Sequence, residues 1–254
     1  MDDRVRCGGV HVTFGEAWGA VAHVAGWMTE GQGRSLYEAA AACPTGGRIV
    51  EIGSFQGRST IVLALGAPEG VEIVAIDPHA GNDRGPQEID GFEAAAADDH
   101  AIFEANLTAA GVRDRVRHVR EFSDLAHGLV DGEIDVLYVD GAHRYGPARA
   151  DIRDWGGRVR PGGRLMIHDS FSSVGVTAAI IRELLFTDAF RYVARSRSLA
   201  VYEASSAGSR LGNAARQLAQ LPWFAKNVAV KALLTIGLGK VLAKLDRRAP
   251  EWPY

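Results

Sequence analysis

Two apolar runs in the second half of the sequence each end in polar residues. Asp140 and His143 follow the first run, and His168 and Asp169 follow the second. If both runs are parallel strands of one sheet, these side chains emerge at its carboxyl edge, where open α/β sheets build their sites. Two carboxylates and an imidazole there could hold a divalent cation such as Mg²⁺, so Asp140, His168 and Asp169 are the candidate metal ligands.

Each ligand assignment has an alternative. Asp140 and Asp169 could instead cap a helix or a turn, although two such acids in one sheet favour a shared site. His168 is the least secure ligand, because imidazole suits Mg²⁺ poorly and could orient a neighbouring group instead.

His143 lies three residues after Asp140, on the loop above the predicted sheet edge. An imidazole has a reference pKa near 6.5 and can accept a proton at neutral pH, so His143 is the candidate general base. The alternative is a loop histidine with a structural hydrogen bond. The neighbouring acids favour the catalytic role.

The segment EIGSFQGRS, residues 51–59, is typical of a strand end, a glycine turn and a helix start. A dinucleotide site requires glycine where Phe55 stands, and Glu51 would repel a phosphate. S-adenosylmethionine has no phosphate and carries a sulfonium and an ammonium, both cationic. We therefore predict that Glu51, Gly53 and Ser59 bind this cofactor, with a purely structural turn as the alternative.

Three more residues extend the predicted cofactor site. Asp77 ends the next apolar run, where a carboxylate can accept both ribose hydroxyls, although an acid that starts a turn before Pro78 is the alternative. Ser123 follows the third run, where such sheets place adenine contacts. Asp140 is included because its strand end lies beside Asp77.

The elements that must position these residues indicate a doubly wound α/β sheet, because short β-branched runs alternate with longer helical patterns. The predicted parallel strands are residues 48–52, 71–76, 116–119, 134–139 and 164–167. Residues 191–194 and 199–202 are predicted to add an antiparallel terminal hairpin, which makes seven strands. The predicted crossover helices are residues 59–65, 98–110, 146–159 and 176–186.

We divide the chain into an N-terminal helical cap (1–45), a cofactor-binding core (46–204) and a linker with a C-terminal amphipathic helix (205–254). The cap contains predicted helices at residues 14–28 and 35–43, which could cover the active site. Residues 79–97 are polar and rich in glycine, and we predict a lid over the cofactor rather than a disordered insertion. The lid offers three candidate acceptor contacts: His79, Asn82 and Arg84.

The C-terminal segment combines an apolar stripe with positive charge. The stripe consists of Val230, Leu234, Leu238, Val241 and Leu245. From residue 210 onward, eight Lys or Arg stand against two acids, a formal charge of +6. Such a helix can contact a membrane surface, but packing on its own domain or on the partner in a homodimer is the commoner case.

Composition excludes several classes of protein. A chain of 254 residues with 47% hydrophobic content can bury a full core. A net charge of −3 gives no overall attraction for nucleic acid, so we expect no nucleic-acid partner. Cys7 and Cys43 are too few for a disulfide framework, and neither a signal peptide nor a long apolar stretch is found. These features are typical of a cytoplasmic protein.

Residues 46–203 resemble the class I S-adenosylmethionine-dependent methyltransferases, and among them the metal-dependent O-methyltransferases of catechols and of macrolide and aminocoumarin sugars. VEIGSFQGRST is similar to the cofactor loop and AIDPH to the ribose-binding segment. Asp140 and His143 are similar to a metal-binding Asp followed three residues later by the base, which is a histidine in the sugar enzymes. His168 departs from the family's acidic pair at the end of the fifth strand.

The resemblance implies Mg²⁺-assisted methyl transfer to a hydroxyl of a small molecule or saccharide. The alternatives are a metal-independent methyltransferase and a non-catalytic protein that binds S-adenosylmethionine. An oxidoreductase is disfavoured by Phe55, and an RNA or protein methyltransferase by the absence of a basic patch interleaved with aromatic residues in the core.

Overall fold

The computed structural model describes residues 4–7, 10–80, 98–205 and 207–235. These residues form a seven-stranded sheet and a separate two-stranded hairpin. The hairpin consists of β1 (Arg4–Cys7) and β2 (Val10–Thr13). Sequence reasoning missed it, although both strands alternate polar and apolar residues.

The seven-stranded sheet confirms the predicted doubly wound architecture. Its strands are β3 (Arg48–Ile52), β4 (Glu72–Ile76), β5 (Val116–Val119), β6 (Ile134–Val139), β7 (Val159–Ile167), β8 (Phe190–Ser196) and β9 (Leu199–Ala204). The spatial order is β5-β4-β3-β6-β7-β9-β8. The first five are parallel, and β9 pairs antiparallel with both β7 and β8, as the predicted terminal hairpin requires.

Helices connect the strands and flank the sheet within the described ranges. They are α1 (Phe14–Ala20), α2 (Glu30–Ala41), α3 (Arg58–Gly66), α4 (Asp99–Ala109), α5 (Tyr145–Ala150), α6 (Val174–Leu184), α7 (Arg210–Leu218) and α8 (Leu221–Thr235). Helix α5 continues through a π-helical turn (Asp151–Trp155) and a 3₁₀ turn (Gly156–Arg158), so the helix predicted at residues 146–159 is present with an irregular second half.

The helix predicted at residues 14–28 is wrong beyond Ala20, where α1 ends. The apolar spacing continues through Val21, Val24 and Met28, and all three are buried. However, Gly26 has a φ of +149°, which no helix accommodates. The buried residues of this non-helical segment therefore have the same spacing in the sequence as the apolar face of a helix.

Two other predicted boundaries move. Helix α2 begins at Glu30 and not at residue 35, because the Gln32 side chain accepts the Thr29 N–H at 2.8 Å, as in a capping box. Strand β7 begins at Val159 and not at residue 164, because an irregularity in its pairing with β6 accommodates the intervening Pro-Gly-Gly.

The two faces of the sheet bury separate apolar clusters. Ile49 of β3 packs in one cluster with Phe14 and Leu36 of the N-terminal helices. Val50, the next residue of β3, packs in the other cluster with Trp155 and residues of α6. Both faces are covered, as a parallel sheet requires.

The ends of the five parallel strands are in register. The paired residues in this row are Val119, Ile76, Ile52, Val139 and Ile167. The next residue of each strand therefore emerges at the same edge of the sheet, and these are Arg120, Asp77, Gly53, Asp140 and His168. Strand register alone thus brings four of the predicted site residues together.

The C-terminal prediction is tested only in part. Helices α7 and α8 follow a short linker, and Val230 on α8 is half-buried. The other residues of the predicted stripe lie outside the described side chains. Among the helices described, none is long and apolar enough to cross a membrane.

Candidate active site

A cavity of about 610 Å³ opens at the carboxyl edge of the sheet. Its volume lies in the range typical of small-molecule sites. The predicted site residues on its wall are Gly53, Ser59, Asp77, His79, Ser123, Asp140, His143, His168 and Asp169. Glu51 is the one predicted site residue among those described that is not part of the wall.

The glycine turn fits tightly under this cavity. Gly53 has a φ of +86°, and a Cβ at this position would lie 2.3 Å from the carbonyl oxygen of Asp140. Gly57 has a φ of +89° and starts α3. Phe55, where a dinucleotide site would need glycine, has a φ of +45°. Only glycine allows the ends of β3 and β6 to approach this closely.

Glu51 lies beneath the cavity and is fully buried. The hydroxyls of Ser59 and Thr60 donate to its carboxyl oxygens. Burial raises the pKa of Glu51 to about 8 despite these hydrogen bonds, so the group is largely uncharged at neutral pH. The expected attraction between an ionised Glu51 and a cationic cofactor is therefore not supported, and its contacts hold the start of α3 under the pocket.

Asp77 is held in place by backbone N–H groups. Its Oδ2 atom accepts the amides of Ser54 and Phe55 at 2.9 and 2.8 Å, and its Oδ1 atom accepts the amide of His79 at 2.8 Å. These three donors fix the carboxylate at the pocket wall. A carboxylate offers about four acceptor positions, so capacity remains for a ligand hydroxyl.

Ser123 lies at the same end of the cavity and donates to Asp151 at 2.5 Å. Sequence reasoning missed Asp151, which is buried in the π-helical turn and lines the cavity. Burial raises the pKa of Asp151 to about 6. Trp155 donates from its indole to the Ser123 carbonyl at 3.1 Å, so the wide helical turn also positions the Ser123 loop.

His143 and Asp169 form an ion pair at the opposite end of the cavity, with 2.9 Å between Nε2 and Oδ2. Burial acts to lower the pKa of His143, but the hydrogen bond to Asp169 and the charges of Asp169 and Asp140 outweigh it, so the net pKa is raised. Asp169 is also buried, yet its contacts with His143, His168 and Ser172 hold its pKa well below the usual range. The pair therefore stabilises a protonated imidazole beside an ionised carboxylate.

His168 lies between two partners, and their chemistry fixes its tautomer. The Gln32 carbonyl accepts the Thr29 N–H, so the amide nitrogen of Gln32 faces His168 Nε2, at 3.4 Å. The Nε2 atom must then accept, and the proton lies on Nδ1, 3.1 Å from Asp140 Oδ1. In this arrangement the protonated Nδ1 atom of His168 faces Asp140, so that nitrogen is not available to a metal. Sequence reasoning missed Gln32, which comes from α2.

The site residues fit Mg²⁺ through their carboxylates and not through His168. Asp140 and Asp169 both line the cavity and flank His168, whose Nδ1 lies 3.9 Å from Asp169 Oδ2. Mg²⁺ is commonly held by one or two carboxylates with water in its other positions. Asp140 and Asp169 therefore suffice as protein ligands for a candidate Mg²⁺ site, and the His168 imidazole lies between them without being a ligand.

The loop after β7 that carries Asp169 is strained and is supported by α8. Asp169 and Phe171 have φ values of +54° and +56°, in the left-handed region that side chains rarely adopt. Helix α8 contacts the same loop: Asn227 donates to the Phe171 carbonyl at 2.9 Å, and Lys231 to the Ser172 carbonyl at 3.0 Å. The C-terminal segment thus stabilises the conformation that presents Asp169.

The N-terminal region also reaches the cavity. Residues 25–28, after α1, line its wall, and Trp27 packs on Phe55 with 5.5 Å between ring centroids. Arg58 donates to the Val24 carbonyl at 3.0 Å. Within the predicted cap region, the part that lines the cavity is thus the segment between α1 and α2, which is neither helix nor strand.

Of the predicted lid, the structure describes only the beginning. His79 is buried on the cavity wall, where its Nε2 atom donates to the Phe55 carbonyl at 2.8 Å. Asn82 and Arg84 lie outside the described residues, so their assignment as acceptor contacts stays a prediction.

Comparison with known proteins agrees with this geometry. Residues 50–170 match a family described as "Methyltransferase domain". The O-methyltransferase NovP is 16% identical and has a TM-score of 0.56, with 69% of this chain and 80% of that chain covered. The cofactor-bound protein Rv0187 from MTB is 20% identical, with a TM-score of 0.53 and coverage of 76% and 88%. The O-methyltransferase from Bacillus cereus in complex with SAH is 20% identical, with a TM-score of 0.50 and coverage of 74% and 87%.

A parallel sheet with an antiparallel edge and a pocket at its carboxyl end is the fold of the class I S-adenosylmethionine-dependent methyltransferases. The family match identifies residues 50–170 of this chain as a methyltransferase domain. At identities of 20% or below, the solved structures show the fold and leave the acceptor open.

Proposed function

We propose that this methyltransferase transfers the methyl group to a hydroxyl of a small molecule or saccharide, with His143 as the general base. The observation that carries this proposal is the His143–Asp169 pair on the wall of the cavity. A half-buried imidazole paired with a buried carboxylate is typical of a base that must take a proton from a weakly acidic group.

The cofactor end of the cavity fits S-adenosylmethionine. Asp77 has acceptor capacity for ribose hydroxyls, and the buried Ser54 hydroxyl on the same wall has no hydrogen-bond partner within the described residues. Ser123 and Asp151 form a second polar group at this end. We assign Gly53, Ser59, Asp77, Ser123 and Asp140 to the surroundings of the cofactor, with Glu51 supporting them from below.

The mechanism follows from the tautomer of His143. Because Nε2–H donates to Asp169, the lone pair lies on Nδ1, which takes the proton of the acceptor hydroxyl. S-adenosylmethionine supplies an electrophilic methyl group on a sulfonium. As the bond from the hydroxyl oxygen to the methyl carbon forms and the carbon–sulfur bond breaks, His143 becomes an imidazolium, and Asp169 stabilises its charge. Asp140 accepts the Tyr138 hydroxyl at 2.8 Å, and the Nδ1 atom of His168 lies beside its other oxygen.

We further propose that Mg²⁺ assists this reaction and that Asp140 and Asp169 hold it. A divalent cation would supply polarisation of the acceptor oxygen. The alternative is a metal-independent base, in which Asp169 serves His143 and Asp140 lies beside His168 without an ion. Chelation distinguishes the two mechanisms.

The other assignments are proposals of the same kind. The acceptor is a small or oligomeric hydroxylated compound and not a nucleic acid, and the enzyme acts in the cytoplasm as a homodimer. The C-terminal helix contacts a membrane surface only peripherally, if at all. The contacts of α8 with the loop of Asp169 support packing on its own domain.

The experiment measures transfer of labelled methyl from S-adenosylmethionine to a panel of monosaccharides, oligosaccharides and catechols. We expect product with at least one hydroxylated acceptor, loss of activity with EDTA, and recovery with Mg²⁺. Full activity in EDTA would contradict the proposed role of Mg²⁺ but would leave the proposed role of His143 as general base unaffected. Binding of S-adenosylmethionine without transfer to any acceptor class, including RNA and protein controls, would favour a non-catalytic binding protein.

A further inference from the structure

A second group of metal-ligating side chains lies at the edge of the sheet that β5 forms. His100 and Glu104 stand four residues apart on α4, so they share one helix face, and His118 lies on the neighbouring strand β5. Each offers one ligand atom, and these atoms all lie within 4.8 Å of one another. Among the described residues, this is the group that brings three such atoms so close together.

The hydrogen bonds of His118 and Glu104 leave one ring nitrogen and one carboxylate oxygen available to a ligand. His118 Nε2 donates to the Asp77 carbonyl at 3.1 Å, so its Nδ1 atom keeps a lone pair. Glu104 uses Oε2 to accept Arg113, while Oε1 lies 3.8 Å from His100 Nε2. The charged partner thus occupies one carboxylate oxygen and leaves the other for a ligand.

A fourth imidazole lies against the group. The His79 ring is 5.4 Å from the His100 ring and 4.9 Å from the His118 ring, centroid to centroid. His79 is 6% exposed, and its Nδ1 atom has no hydrogen-bond partner within the described ranges. A buried nitrogen without a partner is costly, which indicates that this pocket of histidines lacks a ligand.

We propose that His100, Glu104 and His118 bind one Zn²⁺ ion. Two imidazoles and a carboxylate are a ligand set that Zn²⁺ accepts, with water in a fourth position. Imidazole suits Zn²⁺ and disfavours Mg²⁺, so this site differs in chemistry from the carboxylates of the reaction site. The side chains of His100 and Glu104 are 32% and 30% exposed, which leaves them room to move closer around an ion.

The position of the site gives it a structural role. It joins α4, which begins directly after residues 81–97, to β5, and the His118 hydrogen bond links it to Asp77. An ion there would link α4 to β5 beside the cofactor loop. We therefore expect Zn²⁺ to stabilise the folded protein.

The test titrates chelator-treated, full-length protein with Zn²⁺ by calorimetry. We expect one tight site per chain, and at least a tenfold loss of affinity in His100→Gln and in Glu104→Gln. His23→Asn, at an exposed histidine outside the group, and His143→Asn should retain the tight site. Zn²⁺ should also raise the melting temperature of the wild type and of His23→Asn, but not of His100→Gln.

Circular dichroism without metal establishes that each variant folds. Unchanged affinity in both His100→Gln and Glu104→Gln would overturn the proposal. Loss of the tight site in His143→Asn would also overturn it, because the ion would then belong to the reaction site.

Discussion

The carboxylates at the two ends of the pocket have different partners. At the cofactor end, Asp77 accepts three backbone amides. At the reaction end, Asp169 pairs with His143, and Asp140 lies beside His168. Both ends line the same cavity.

The difference in partners separates binding from proton transfer. A backbone amide donates permanently and does not titrate near neutral pH, so it can only hold a carboxylate in place. An imidazole gains or loses a proton in this range. We therefore expect substitutions at Asp77 to change cofactor affinity and substitutions at His143 to change turnover.

The largest expected effect is that of His143→Ala on turnover. General-base assistance typically contributes about a hundredfold to ten-thousandfold, and a loss of that order is expected. The affinity for S-adenosylmethionine should stay within about twofold by calorimetry, because His143 lies at the opposite end from Asp77. Full turnover in this variant would contradict the assignment of His143 as the general base.

Asp77→Ala should act at the other end. A hydrogen bond that involves a charged group contributes about 1.5–3 kcal/mol, so the affinity for S-adenosylmethionine should fall roughly tenfold to a hundredfold. Asp77→Asn is the matched variant, since it keeps the size and loses the charge. Equal affinity in the wild type and both variants would show that the cofactor lies elsewhere.

Glu51 represents a third kind of environment, a buried carboxyl with hydroxyl partners. Its pKa is about 8 in the folded protein and 4.5 as a free group, so between these values the unfolded chain releases a proton that the folded chain retains. Its contribution to stability is therefore present below about pH 4.5 and falls as pH rises to 8, by at most about 1.4 kcal/mol per pH unit.

Glu51→Gln should remove this pH dependence, because the amide is neutral and can still bond Ser59 and Thr60. Thermal unfolding should show Glu51→Gln gaining stability relative to the wild type between pH 5 and pH 8. A constant difference over this range would mean that Glu51 is ionised in the folded protein.

The sheet and the residues at its carboxyl edge could be predicted from the sequence, because the carboxyl ends of parallel strands lie at the same edge of a sheet. Asp77, Asp140 and His168 could be placed without coordinates for this reason. Partners that come from distant segments could not. Gln32 approaches His168 across 136 positions of sequence, and no local pattern carries that contact.

Other features were missed because the local signal indicated something else. The apolar spacing after Ala20 imitated a helix, and Asp151 resembled an ordinary surface acid on a helix. The division of the chain at residues 45 and 204 stays a prediction, as do the roles of the individual site residues.

The smallest expected effect comes from Asn227→Ala on α8, which touches neither end of the pocket directly. It removes the donor to the Phe171 carbonyl in the strained loop of Asp169. We expect a severalfold loss of turnover with unchanged cofactor affinity. Lys226→Ala, on the same helix beside Trp223, is the control and should retain full turnover.

The most direct test of the separation between the two ends is an NMR titration of His143 in the wild type and in Asp169→Asn. The hydrogen bond and charge of Asp169 raise the pKa of His143 above its ordinary value of 6.5, against the effect of burial. Asp169→Asn removes that charge, so burial should then dominate and lower the pKa. We expect a wild-type pKa of His143 above 6.5 and a clear decrease in the variant. A wild-type pKa at or below 6.5, or the same pKa in both proteins, would contradict it.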